Sequence, residues 1–590
     1  MRGSPPESRH ERATPVGRNH SWRPAHAVFH RFSLPPAQLD PTGATRSLRT
    51  GDGGGTCSFN DLCVPQCGGP SSIPSGQAGG PMHAAQDELE YRRVTRERAL
   101  RDHRVRLRSV TSAHGALRSS LRTGLIEADD RLDESTLVNR FSVSRNAVRA
   151  ALTLLADEGI VSRSPRAGTV VRSDITDVDI DNGVGWRTTG AESYHCEVLE
   201  RRWVAATPLT RRYLADDGPL VHLTELVLVR RGEPTMLYTR FSLADGAERA
   251  LALTSSDTHF DEAFTHAYGS RLGAVSCWVE AVEADEKVAA QLRVPIGTAL
   301  LVKSRVLWSA DGVPREYSVS HYLAARIALS TRTRRDHTSR PMPARVVVPR
   351  ARTEADSAEL PLRQSATSVH GELRAALRSG LLPVRARLDE QELATRFGVS
   401  RNSMRRGLAA LAKEGLVRRN RRTGTMVERT IADLTLDNGI GWDPAETGRY
   451  RAERLSVATV PTPPFLARIL RTDEPAIRVG EYRVYRDGHP FLVYLRYSRA
   501  GVPTRPLSCD SSADFDELFA QAHGSEVERI ETTVHAVRAH ERTGRLLHVP
   551  PSTLLLLKER LLIDRSGTSC EFSHTYYAAA GVALSTHSVA

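Results

Sequence analysis

At 590 residues the chain exceeds what one hydrophobic core can organise, and its length suits roughly four domains. Its 40% apolar and 25% charged residues are ordinary for folded protein, and no run of about 18 apolar residues offers a membrane span. A net charge of +12 favours an anionic partner such as nucleic acid, while seven scattered cysteines make no disulfide framework and fit a reducing cytoplasm.

Residues 1–85 are rich in Gly, Pro, Ser and Arg and have almost no apolar periodicity, so disorder is expected there. They carry no apolar stretch of a secretory signal. Cys57, Cys63 and Cys67 cluster within them, but their spacing is not that of paired zinc ligands, and no metal or cofactor is expected. Met82, just before the first helical pattern, is a candidate start of the native protein.

From residue 104 a pattern begins that recurs later. "RLDESTLVNRFSVSRNAVRAALTLLADEGIVSRSPRAGTVV" starts at Arg131 and "RLDEQELATRFGVSRNSMRRGLAALAKEGLVRRNRRTGTMV" starts at Arg387, an offset of 256 that holds from His114/His370 to Trp186/Trp442. About half of the paired positions from His114 to Val171 are identical. A repeat this long is a duplicated domain unit rather than a solenoid.

Within 104–175, Leu117, Leu121 and Leu125 space out a first amphipathic helix. Asp133 caps a second helix that runs to Phe141, and Ser144 caps a third. In the third, Ala147, Val148, Ala151, Leu152 and Leu155 form the inward stripe, leaving Arg145, Asn146 and Arg149 outward. Two short strands flank a basic turn carrying Arg163, Arg166 and Gly168. Residues 363–431 repeat this, with Arg401, Asn402, Arg405 and Arg406 outward and Arg418, Arg419, Arg421, Arg422 and Gly424 in the turn.

This is the equipment of a winged helix-turn-helix. A helix fits the major groove, Arg can grip guanine and Asn adenine, and a basic turn suits phosphate or minor groove. The pattern "VSR", an Arg four positions on, "EG" and "GT-x-V" resembles the DNA-binding domain of the GntR family of bacterial transcription regulators. The resemblance implies DNA contact at Arg131/Arg387, Arg145/Arg401, Arg149/Arg405 and Gly168/Gly424.

After each winged pattern come "DNGVGW" (181–186) and "DNGIGW" (437–442), read as hinge turns. Residues 190–330 and 446–588 then alternate apolar and polar residues, with a short helix beginning "FDE" and a second ending "L-x-V-P". A Pro/Arg/Thr-rich stretch at 331–362 reads as a linker. The pattern resembles the UTRA effector domain of HutC-type GntR regulators, similar in fold to chorismate lyase. The expected fold class is therefore α+β multidomain, two winged helix-turn-helix domains alternating with two UTRA-like domains.

The resemblance implies a small effector bearing carboxylate or phosphate. Glu316/Glu571 match the acidic position on the last strand, and Arg240/Arg496 and Arg305/Arg560 are candidate basic partners. Leu323 and Ala578 stand where the family leads one to expect Arg, and Glu283 in one copy is replaced by Arg538 in the other, so the two pockets need not match. The expected function is a sequence-specific, effector-modulated transcriptional regulator, a repressor, in the bacterial cytoplasm. It would bind double-stranded DNA at an imperfect palindrome, as a pseudo-dimer within one chain or as a homodimer. A non-specific DNA-organising protein is the alternative; a lyase-like enzyme is another, but no nucleophile–base pair or phosphate loop is readable in both copies.

Overall fold

The computed structural model describes residues 110–166, 168–180, 194–230, 232–243, 260–334, 369–420, 422, 424–436, 449–502 and 515–589. Residues 1–85 with their cysteines and Met82, the hinge turns ending at Trp186 and Trp442, Arg421 and linker residues 335–362 lie outside them.

Winged domain 1 contains α1 (Val110–Arg122), β1 (Arg131–Leu132), α2 (Glu134–Phe141), α3 (Arg145–Asp157) and the hairpin of β2 (Val161–Ser164) and β3 (Gly168–Val171). Asp133 opens α2 by accepting the Thr136 N–H at 2.7 Å, and Ser144 opens α3 by accepting the Ala147 N–H at 3.2 Å. Between them Ser142 turns the chain through a left-handed conformation, φ 53°. β4 (Thr176–Asp179) follows the wing.

Sheet domain 1 comprises β5 (Tyr194–Ala205), α4 (Pro208–Leu214), β6 (Leu220–Arg230), β7 (Glu233–Ser242), α5 (Phe260–Tyr268), β8 (Leu272–Glu283), α6 (Glu286–Leu292), β9 (Ala299–Ser309), β10 (Pro314–Leu323) and β11 (Ile327–Arg334). Winged domain 2 comprises α7 (Val369–Arg378), β12 (Arg387–Leu388), α8 (Glu390–Phe397), α9 (Arg401–Lys413), β13 (Val417–Asn420) and β14 (Gly424–Val427), with β15 (Ala432–Thr435) after it. Sheet domain 2 comprises β16 (Tyr450–Pro461), α10 (Pro464–Ile469), β17 (Ala476–Arg486), β18 (His489–Arg499), α11 (Phe515–His523), β19 (Val527–Arg538), α12 (Glu541–Leu547), β20 (Leu554–Asp564), β21 (Ser569–Ala578) and β22 (Val582–Val589).

The two large sheets exchange their last strands. One runs β15-β22-β8-β9-β10-β7-β6-β5 and the other β16-β17-β18-β21-β20-β19-β11-β4. Thus β11 of the first copy pairs with β19 (Leu329 opposite Val534), and β22 of the second pairs with β8 (Leu584 opposite Val279). The sequence places 331–334 in a linker because the stretch 331–362 is rich in Pro, Arg and Thr; the structure puts them in β11, where Thr331 is buried. Backbone pairing rather than apolar content makes this a strand. One buried cluster joins both sheets, drawing Leu226, Val279 and Leu307 from one and Val484, Val534 and Leu556 from the other.

The winged domains dock crosswise. Leu117 and Leu152 of winged domain 1 share a core with Leu555 and Phe572 of sheet domain 2, and the Phe141 and Phe465 rings lie 5.3 Å apart. Ala375 of winged domain 2 packs with Leu223 and Val302 of sheet domain 1. Each joint also holds buried charge. Arg118 bonds Glu158 at 2.6 Å and the Ala324 carbonyl at 3.2 Å, while Arg122 reaches Glu559 of sheet domain 2 at 3.0 Å. In the other joint Arg374 bonds Glu280 of sheet domain 1 at 2.9 Å and also pairs with Glu414.

Candidate functional site

On α3 the side chains of Arg145, Asn146 and Arg149 are exposed, opposite a fully buried stripe at Val148, Ala151, Leu152 and Leu155. The Glu134 carboxylate at the start of α2 accepts from Arg149 Nη2 at 3.0 Å and Nε at 3.3 Å. The same carboxylate lies 3.4 Å from the wing's Arg163, which also donates to Thr153 at 2.8 Å. The Arg149 hydrogen bond holds the Glu134 carboxyl below its usual range, with charge from Arg163 and Arg145 adding to the effect. Helix and wing are thereby tied into one basic face.

Winged domain 2 builds the same device on Glu390, which meets Arg405 at 2.9 Å, Arg401 at 3.5 Å and the wing's Arg419 at 3.5 Å. Glu134 and Glu390 are absent from the sequence-derived candidates, although "LDE" recurs in both copies and signals them. Arg131 and Arg387 stand on short strands paired with the wing, opposite Val170 and Met426. Gly168 and Gly424 adopt φ +74° and +81°, which L side chains resist, so each wing strand begins where only glycine is unstrained. Arg166 is exposed at the wing tip, whereas Arg418 turns to Glu428 at 2.5 Å. Asn402 is exposed on α9, and Arg421 lies outside the described residues.

The candidate effector residues gather into two equivalent clusters. In sheet domain 1, Glu316 lies 3.1 Å from Arg305 and 3.8 Å from Arg240 and accepts the Tyr238 hydroxyl at 2.7 Å. In sheet domain 2, Glu571 accepts from Arg496 at 2.5 Å and from the Tyr494 hydroxyl at 2.7 Å, with Arg560 at 3.7 Å. Burial alone would raise the Glu571 carboxyl, but Arg496 and Arg560 overrule it and hold it low. Tyr238 and Tyr494 are further members; the recurring "Y-x-R" signals them, because residues two apart on a strand share a face. The clusters differ at one edge. Tyr268 ends α5 beside the first, and His523 ends α11 beside the second.

The family model for bacterial regulatory proteins of the gntR family matches residues 110–171 and again 365–427. The UTRA domain model matches 191–328 and 445–581. The chain belongs to the GntR family. An uncharacterized HTH-type transcriptional regulator of Rhizobium meliloti (strain 1021) is 31% identical over 214 residues, 33% of this chain and 82% of the relative. An HTH-type transcriptional regulator of Mycobacterium tuberculosis is 29% identical over 209 residues, 33% of this chain and 75% of its own length. The crystal structure of PhnF from Mycobacterium smegmatis is 20% identical, covers 37% of this chain and 96% of its own, and gives a TM-score of 0.26. This GntR-family regulator thus carries the DNA-binding domain and the UTRA effector-binding domain twice in one chain. Among the described residues no helix is long and apolar enough to cross a membrane, and no group of His, Cys, Asp and Glu could hold a metal.

Proposed function

We propose that this regulator is a cytoplasmic repressor that reads an imperfect palindrome with one winged domain per half-site. The observation that carries the reading is the repetition of one basic face, Arg145–Asn146–Arg149 and Arg401–Asn402–Arg405, each anchored by a carboxylate. Dimeric regulators set two recognition helices into successive major grooves about 34 Å apart; here the partner is the other half of the same chain. Arg131, Arg163, Arg166 and Gly168, with Arg387, Arg418, Arg421 and Gly424, supply contacts to backbone or minor groove.

The effector binds at Arg240, Arg305 and Glu316, at Arg496, Arg560 and Glu571, or at both, and shifts operator affinity by preferring one arrangement of the heads. Titrating the full chain onto labelled DNA flanking its own gene, against the same DNA scrambled, tests the reading. Preference for the native sequence by 10³-fold or more at physiological salt is expected, on the order of specific over non-specific binding. Equal affinity for both would overturn it in favour of non-specific DNA organisation.

A further inference from the structure

In a dimer of identical halves, a residue on the twofold axis faces its own copy, so a charge there meets a like charge. Duplication within one chain removes that restriction. β8 ends at Glu283 and β19 at Arg538, equivalent positions carrying opposite signs, and the two meet at 3.1 Å. Arg538 also donates to the carbonyls of Gly297 at 2.6 Å and Ser552 at 2.9 Å, themselves equivalent positions in the two copies. A side chain shared between equivalent groups stands at the pseudo-twofold axis.

The recognition helices invert in the same way. α3 ends at Asp157 and α9 at Lys413. Lys413 of winged domain 2 pairs with Glu283 of sheet domain 1 at 2.9 Å. Across the axis the Arg538 N–H donates to Glu158 at 3.3 Å, bringing the end of α3, where Asp157 lies, beside Arg538. Lys413 thus carries the sign opposite to the strand end it meets, Asp157 carries the sign opposite to the strand end nearest its helix, and both signs reverse between copies.

We propose that Asp157, Lys413, Glu283 and Arg538 form a pairing code, and that its partner is the other half of the same chain. Winged domain 1 on sheet domain 1 would set Asp157 against Glu283, and winged domain 2 on sheet domain 2 would set Lys413 against Arg538. Like sheet domains from two chains would bring Glu283 to Glu283 or Arg538 to Arg538. Partly exposed ion pairs add little stability, but wrong pairings made repulsive confer specificity. The code fixes which sensing domain lies under which head. Because Glu283, Lys413 and Arg538 border a cleft of about 810 Å³, water and salt reach them.

Thermal unfolding of three full-length variants tests the code. Glu283→Arg with Arg538→Glu swaps only the strand ends, Asp157→Lys with Lys413→Asp swaps only the helix ends, and the third variant carries all four changes. At low salt each half-swap is expected to melt roughly 2–4 °C below the natural chain, and the fourfold variant within about 1 °C of it. In about 1 M salt the differences should shrink. Half-swaps that melt like the natural chain, a fourfold variant no better than the half-swaps, or a deficit indifferent to salt would each overturn the code.

Discussion

Removing residues 582–590 is expected to open the sheet of the first copy, although the deleted residues end the second. β22 pairs with β8 from Leu584–Val279 onward and carries β15 on its other edge. Val582, Ala583 and Leu584 are 1%, 0% and 0% exposed, so the deletion empties a packed layer as well as breaking a ladder. Losing two large buried aliphatic side chains costs about 2–5 kcal/mol each, before any backbone pairing is counted. Hydrogen exchange of the truncated chain should show lost protection in β8 and β15 while β19, completed by β11, stays protected. Loss confined to β19 and β20 would mean that the strands are not exchanged.

Arg374→Ala should be nearly as damaging for a different reason. Arg374 is 1% exposed and serves Glu280 of sheet domain 1 and Glu414 of its own winged domain, so its removal leaves the buried Glu280 and the part-buried Glu414 each short of a partner. A cost of about 3–5 kcal/mol is expected, and the same for Arg118→Ala, which leaves the buried Glu158 with His114 as its remaining charged partner among the described residues. Replacing Arg118 and Glu158 together by Leu should recover most of the loss, since no unpaired charge remains buried. Calorimetry of the four proteins checks this, and a double variant no better than the single would contradict it.

Acid probes the same joints. Burial alone would raise the Glu158 carboxyl, but His114 and Arg118 bring it down to about 2; Arg374 and His370 do the same for Glu414, also to about 2. A carboxyl depressed on folding adds stability above its unfolded value, here 4.5, and loses it as pH falls toward 2. The natural chain should therefore lose stability steeply between about pH 5 and pH 2, and Arg118→Ala less steeply.

The recognition helices were legible in the sequence because they are local. Ser144 and Asp133 cap where their side chains can reach the next turn, and the apolar stripe of α3 has helical spacing. The effector clusters were half legible. Arg and Glu on different strands are visible as a repeated set, but only pairing registers bring Arg240, Arg305 and Glu316 to one place. The exchange of β11 and β22 was not legible at all. "IALSTRTR" and "VALSTHSV" are near copies, so either could complete either sheet, and no local signal chooses between them. Glu283 and Arg538 were visible as a difference between copies; that they touch needed the fold.

Binding-site selection from random duplexes, carried out with the natural chain, Arg145→Ala and Arg401→Ala, tests the two-headed reading most directly. The natural chain should select an imperfect palindrome. Each variant should lose about 1–3 kcal/mol and relax its preference in one half-site only, Arg145→Ala in one and Arg401→Ala in the other. Equal relaxation of both half-sites by either change would contradict one head per half-site.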